Sequence, residues 1–256
     1  MPGGVALHVA RSICALGEEA LLWCTVGDDN DGRRLIASLE EDGLSAGGVV
    51  AMEGERTDRC MFILDREGSV TGVSDCRLLE SASGQLVRRL ADSGVLRSGR
   101  NIVLVVDGNL PEEILDELSG NGTFEGVPIR FAVASDGKAE RAQAFLGRKQ
   151  TVIHLNRAEA EVAARRKFPD STEAARFLVE AGFERVIVSD VHTGISDCDQ
   201  AALVSIRPKR AAKRVRVLGA GDHLLAAHLV AEFRGFPRHD ALEYAAEAAN
   251  DYVAGK

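Results

Sequence analysis

Short β-branched or apolar runs alternate with helix-patterned segments along most of this 256-residue chain, and that alternation restricts the fold more than any other feature. Ala20–Val26 reads as a strand and Gly32–Glu41 as a helix, with Leu35, Ile36 and Leu39 on one face. Ile102–Val106 is a β-branched run followed by Pro111–Leu118, where Pro111 suits a first helical turn. Val127–Val133, Thr151–Leu155 and Arg185–Ser189 read as further strands, interleaved with helices over Lys138–Phe145, Arg157–Arg165 and Ser171–Ala181. Each strand–helix–strand step implies a parallel connection. The pattern therefore predicts an α/β fold, a mostly parallel sheet with helices on both faces, as one domain over residues 1–256.

One stretch breaks the rhythm. Val49–Met52, Arg59–Leu64 and Ser69–Ser74 are separated by the turn signals Glu53-Gly54-Glu55 and Asp65-Arg66-Glu67-Gly68. They read as consecutive short strands, so residues 48–76 are expected to form a small antiparallel flap. An edge hairpin with no part in binding is the other reading.

A formal charge of −8 and a pI near 5.4 argue against a partner that is itself a polyanion, whether nucleic acid or membrane surface. No apolar run approaches the ~20 residues of a membrane helix and no signal-peptide pattern opens the chain, so a cytoplasmic location is the default expectation. The local exception in charge is the basic run from Arg207 to Arg216, read as a solvated face or as a steering field for a triphosphate. Cys14, Cys24, Cys60, Cys76 and Cys198 show neither metal-binding spacing nor an even count, so reduced thiols are expected. His223 and His228 lie five apart, a poor spacing for joint ligation.

Chemistry concentrates near the carboxyl end. Gly219-Ala220-Gly221-Asp222 lies between the basic, β-branched Lys213–Leu218 and the helix-patterned His223–Glu232. A small glycine turn opening a helix lets backbone N–H groups approach an anion, and the helix dipole adds positive potential at the same spot. Asp222 there is a candidate base for phosphoryl transfer, with the backbone of Gly219, Ala220 and Gly221 as anion hole. An ordinary tight turn with an acidic first-turn residue is the bland alternative. Near the other end, Gly3 and Gly4 precede a helix-patterned segment closed by Gly17. Neither a dinucleotide fingerprint nor a Walker motif is present.

The segments Gly3–Gly17 and Gly219–Asp222 resemble the two signatures of the PfkB family of carbohydrate kinases, whose fold is the ribokinase-like three-layer α/β/α sandwich. Val26-Gly27-Asp28-Asp29-Asn30-Asp31-Gly32 resembles the family's Gly-x-Asp-x-x-Gly turn, Asn156-Arg157-Ala158-Glu159 its Asn-x-x-Glu motif, and Ile187-Val188-Ser189 with Gly194 the flank of its nucleotide site. Val105–Leu110 and Leu155–Ala160 look closest to the pseudouridine-kinase branch.

The resemblance implies an ATP- and Mg²⁺-dependent kinase acting on a hydroxyl of a sugar or nucleoside. It implies substrate contacts from Gly3, Gly4 and His8, nucleotide contacts from Asn156, Ser189, Gly194, Gly219 and Gly221, and Mg²⁺ held through water by Asn156 and Glu159. For Asn156 and Glu159 a helix capping box is an equal reading. Asp75 at the foot of the flap and Asn109 at a strand end are further candidate sugar contacts. It also implies a lid that covers the sugar and joins two copies as a homodimer.

The departures carry expectations too. Only Met1 and Pro2 precede Gly3, so the family's first strand and its acidic sugar ligand are expected to be missing, with self-association through the sheet edge or the flap, or a truncated reading of a longer gene, as the expected consequence. His8 stands where the family has asparagine, and Arg216-Val217-Leu218 replaces Asp-Thr-x. A degenerate, nucleotide-binding or interaction protein is the competing expectation.

Overall fold

A computed structural model describes residues 2–64, 70–120, 122–208 and 215–256. The expected turn at Asp65–Gly68, the start of the strand at Ser69, and residues 209–214 of the basic run lie outside these. Among the described residues, no helix is long and apolar enough to cross a membrane.

In chain order the elements are α1 (Val5–Ala15), β1 (Cys24–Gly27), α2 (Asn30–Glu41), β2 (Val49–Met52), β3 (Arg59–Leu64), β4 (Val70–Asp75) and α3 (Arg77–Asp92). Next come β5 (Leu104–Asp107), α4 (Glu112–Ser119), β6 (Ile129–Ala132), β7 (Thr151–Asn156), α5 (Arg157–Ala163) and α6 (Ser171–Glu180). The chain then forms β8 (Arg185–Asp190), β9 (Gly194–Asp199), β10 (Leu203–Ile206), α7 (Ala220–Phe233) and α8 (Arg238–Ala254). The main sheet has the order β10-β9-β8-β7-β6-β5. Its β5–β8 strands are parallel, and β9 and β10 extend it in antiparallel fashion.

Period-two alternation in the parallel strands builds the three layers. On β7, Ile153 and Leu155 enter the core formed with α3 to α6, whereas Val152 faces α7 and α8. On β8, Val186 and Val188 join the first core and Ile187 the second. Phe131 and Phe145, with ring centroids 4.9 Å apart, fill the first core, and burying such a ring stabilises by roughly 1.5–3 kcal/mol. The expected three-layer α/β/α sandwich is the observed fold.

Three local expectations are corrected. Val49–Met52 is not a flap strand: β2 pairs in parallel with β1, Cys24 opposite Val49, through the crossover helix α2. A four-residue apolar run shows no preference for either partner in its sequence, and the decisive contact is backbone on backbone, with Gly48 so close to the Leu22 carbonyl that a Cβ would stand 2.2 Å from it. Only β3 and β4 form the antiparallel hairpin, Arg59 opposite Asp75. The helix expected over Lys138–Phe145 is a 3₁₀ segment, Asp136–Phe145. Its buried residues Ala139, Ala142 and Phe145 recur every third position, which is the 3₁₀ period. The sixteen-residue α3 was not anticipated, although Leu78, Ala82, Leu86 and Leu90 line its buried face at intervals of four.

The turn between β1 and α2 ties the hairpin's root to the body. Asp29 caps α2 by accepting from Gly32 N–H at 2.8 Å, and also accepts from the Thr57 hydroxyl at 2.7 Å. Those hydrogen bonds hold its carboxyl down at about 2. A Cβ on Gly27 would sit 2.4 Å from the Glu55 carbonyl, so only glycine lets the two segments meet. β5 ends the six-stranded sheet, and β1–β2 is a separate two-stranded one.

Candidate active site

Three elements converge at the carboxyl end of β5. The apolar α7 runs beside α1, and its start is set by Gly219 in the left-handed region at φ 83°. That position demands glycine, because a Cβ would stand 2.8 Å from the Tyr252 hydroxyl and 3.3 Å from His8 Nδ1. Gly221, by contrast, has nothing within 4 Å of where its Cβ would be, so open space lies beside the first turn of α7.

Asp222 sits in that turn, and its Oδ2 is 3.1 Å from His8 Nδ1 on α1. Both side chains are partly buried. Gly4 begins α1 at φ 116°, a conformation that suits glycine, and directs the helix so that the Ala6 N–H lies 3.4 Å from Asp107 Oδ2. Asp107, the last residue of β5, also accepts from the Asn109 backbone N–H at 2.8 Å and its side-chain amide at 2.9 Å. Burial pushes the Asp107 carboxyl up, and the nearby Asp222 charge adds to the shift. Asn109 Oδ1 in turn accepts from Lys138 Nζ at 2.9 Å. Lys138 has a carboxylate, Glu80, only at 3.9 Å.

The structure thus gathers Gly3, Gly4, His8, Asn109 and Asp222 around Asp107. Asp75 ends β4, one residue before Cys76, whose Sγ donates to Asn109 Oδ1 at 3.9 Å. The Asp75 carboxylate is clamped by Arg77 at 2.8 and 2.6 Å, which holds it down at about 2. Asp107 and Lys138 went unnoticed in the sequence, although Asp107 closes a β-branched run at the strand end, where open α/β sheets place ligand groups.

The second half of the rim lies at the ends of β7 and β8. Asn156 and Glu159 form a capping box, with Asn156 Oδ1 accepting from Glu159 N–H at 2.9 Å and Glu159 Oε2 accepting from Asn156 N–H at 2.7 Å. Burial pushes the Glu159 carboxyl up to about 8, with Asp136 and Asp222 contributing. That electrostatic coupling joins the two halves of the rim. Ser189 is opposite Asn156 in the parallel register and opposite Ile195 in the antiparallel one. Gly194 begins β9 at φ 115°, where a Cβ would meet the Ile206 carbonyl at 2.2 Å. Of the basic run, Arg207 donates to the Thr193 carbonyl at 3.4 Å, while Val215 and Arg216 lie against α8, with the Arg216 guanidinium over the Tyr252 ring at 5.7 Å.

Beneath α7, away from the rim, Arg130 and Arg185 pair with Glu232, and Arg185 and Arg238 pair with the fully buried Asp197. His228 and His154 lie among them, their rings 6.0 Å apart, and both His228 nitrogens are without a hydrogen-bond partner. Burial lowers the His228 imidazole to about 4. Clefts of about 460 Å³ around Asp29, Arg34 and Arg59 and about 400 Å³ between α7 and α8 lie elsewhere. The chemistry-bearing groups line an open rim.

Residues 1–253 match the description pfkB family carbohydrate kinase. The chain is 30% identical over its whole length to the bifunctional protein HldE of Hyphomonas neptunium, covering 52% of that relative. It is 27% identical over 99% of its length to the D-beta-D-heptose 7-phosphate kinase of Bordetella bronchiseptica, covering 79% of it. The chain therefore spans about half the length of the bifunctional relatives it matches. The crystal structure of ribokinase from Thermotoga maritima superposes with a TM-score of 0.79 at 19% identity, covering 99% of this chain and 82% of that one.

Proposed function

The chain belongs to the pfkB family of carbohydrate kinases, and we propose that it transfers the γ-phosphoryl group of ATP to a hydroxyl of a phosphorylated sugar. The observation that carries the reading is Asp222 in the first turn of α7, beside the open space at Gly221 and facing the end of β5. A phosphoryl group seated against that turn meets N–H donors and the positive end of the dipole, and a hydroxyl between it and Asp222 is in line for attack. Asp222 accepts the hydroxyl proton as the new O–P bond forms and the bond to the ADP oxygen breaks.

The acceptor's class follows from Lys138, whose ammonium reaches Asn109 beside the rim and is only loosely balanced by Glu80. A phosphate on the acceptor is its natural counter-charge. The name of one relative, the D-beta-D-heptose 7-phosphate kinase, supports that choice over pseudouridine, the branch suggested by Val105–Leu110. Ser189 and Gly194 flank the nucleotide. Mg²⁺ suits the rim, because Glu159 is a hard oxygen donor whose carboxyl, raised chiefly by burial, also feels the charges of Asp136 and Asp222. Asn156 and Glu159 would hold that ion through water, and when bound it would neutralise phosphate charge. The β3–β4 hairpin covers the acceptor, and its exposed Met61, Ile63 and Val73 join two copies as a homodimer.

A coupled ADP-release assay over sugars, sugar phosphates, adenosine and pseudouridine tests the reading. Turnover is expected with a sugar phosphate, and Asp222→Asn should lower kcat about 100-fold or more with little change in ATP affinity. Nucleoside turnover alone would overturn the acceptor class, and an active Asp222→Asn variant would remove the base.

A further inference from the structure

His8 is expected from the sequence to contact substrate, yet one of its two nitrogens is already taken. Nδ1 lies 3.1 Å from Asp222 Oδ2, and among the described residues His8 is the only side chain hydrogen-bonded to that carboxylate. The contact is built into the packing of α1 on α7. One turn further along α1, Ser12 Oγ meets His223 Nδ1 at 2.9 Å, so two adjacent rungs fix the height of one helix against the other. Gly219 leaves the room, because a Cβ there would press on both His8 Nδ1 and Tyr252. The other nitrogen, Nε2, faces the glycine pair, 3.6 Å from where a Cβ of Gly3 would stand.

An ionised carboxylate only accepts hydrogen bonds, so the short contact requires the proton on Nδ1 and leaves a bare lone pair on neutral Nε2. A carboxylate rotates easily about its last torsion, and a base that must meet one hydroxyl gains from being held. We infer that His8 is a positioning residue for the base: Nδ1–H fixes Asp222 Oδ2 so that Oδ1 meets the attacking hydroxyl, while Nε2 accepts from a neighbouring hydroxyl of the same acceptor. The acceptor therefore carries hydroxyls on adjacent carbons. His8 does not donate to the substrate, as its place in the glycine signature suggested. This inference rests on Asp222 being the base.

The arrangement depends on the charge of the imidazole. A second proton on Nε2 removes the acceptor and weakens Asp222 as a base by placing a full positive charge beside it. The other titratable groups around the pair are Asp107 at the end of β5, Tyr252 on α8, His223 next to Asp222 on α7, and Glu159 across the rim, whose carboxyl feels the Asp222 charge. An acid limb of kcat belongs to His8 only if it disappears when His8 is replaced.

Nitrogen-15 NMR of the histidine side chains, on the full chain without substrate, reads the tautomer directly. The neutral ring of His8 should carry its proton on Nδ1, and Asp222→Ala should return it to Nε2; an Nε2 proton in the unaltered protein would overturn the inference. With the best acceptor found by ADP release, His8→Ala should lower kcat about 10- to 100-fold with unchanged KM for ATP. His8→Asn, whose amide nitrogen reaches the Nδ1 position, should recover most of that loss and abolish the acid limb. His8→Gln, whose amide lies a bond too far, should not recover it. In an Asp222→Asn background, His8→Ala should cost nothing further. Full activity in His8→Ala beside a dead Asp222→Asn would sink the role of His8 and spare the base; an active Asp222→Asn would sink the base.

Discussion

Replacing Glu159 by glutamine should stabilise the protein, and by an amount that grows with pH. The carboxyl is buried under the first turn of α5 and rises from 4.5 in the free side chain to about 8 in the fold. A raised acid binds its proton more tightly folded than unfolded. Its contribution is therefore complete below pH 4.5 and is lost progressively as pH rises towards 8. At about 1.4 kcal/mol per pH unit, the unaltered protein has lost roughly 3 kcal/mol by pH 7 relative to a side chain that does not titrate.

Glutamine keeps an oxygen for the Asn156 N–H and has no proton to lose. The variant and the parent should thus unfold in urea within about 1 kcal/mol of each other at pH 5 and separate to about 3 kcal/mol at pH 7. In thermal unfolding the pH 7 gap corresponds to roughly 6–12 °C. A gap that stays constant with pH, or a variant less stable throughout, would mean that Glu159 is ionised in the fold and that the burial argument is wrong. Mg²⁺ with a non-hydrolysable ATP analogue should stabilise the parent more than the variant, since a cation favours the ionised carboxylate that burial disfavours.

The two glycines of the α7 turn should part company. Gly219→Ala should lower stability by about 1–3 kcal/mol through left-handed strain and the Tyr252 contact, read by urea titration. Gly221→Val should fold normally yet lose ATP binding in calorimetry; unchanged affinity would take the open space out of the nucleotide site. Buried neutral His228, lowered to about 4, keeps its full stability contribution above pH 6.5 and loses about 3 kcal/mol as pH falls to 4. His228→Gln should flatten the acid arm of a urea–pH series, and an unaltered arm would refute the assignment. On the hairpin, Met61→Lys with Ile63→Lys should convert a dimer to a monomer in light scattering, and a persisting dimer would locate the interface elsewhere.

How much of this was legible in the sequence depended on the range of the interactions involved. The parallel strands β5 to β8 were readable because each is a short, largely apolar run between helix-patterned segments, and such runs carry their own signal. β2 was misassigned because its partner is chosen twenty-five residues away, by a glycine that admits the Leu22 carbonyl. Asp222 and the glycine pair were visible as motifs. The contact of His8 with Asp222 was not, since it joins positions 214 apart and exists only where α1 crosses α7. The pairing of Asp75 is local by contrast: its partner Arg77 lies two residues away and clamps the carboxylate at the foot of the hairpin.

α7 is enclosed by protein from Leu224 to Ala231, and its far end is gripped by the charges around Asp197 and Glu232. Dissolved ions cannot run alongside it. A helix on a surface has its dipole quieted by counterions within a Debye length, about 8 Å at physiological ionic strength. Here the field leaves the protein only at the glycine turn. The pull on an anion should therefore hold at salt concentrations that silence an exposed helix, so the site can discriminate among anions by fit in a solution crowded with chloride and phosphate.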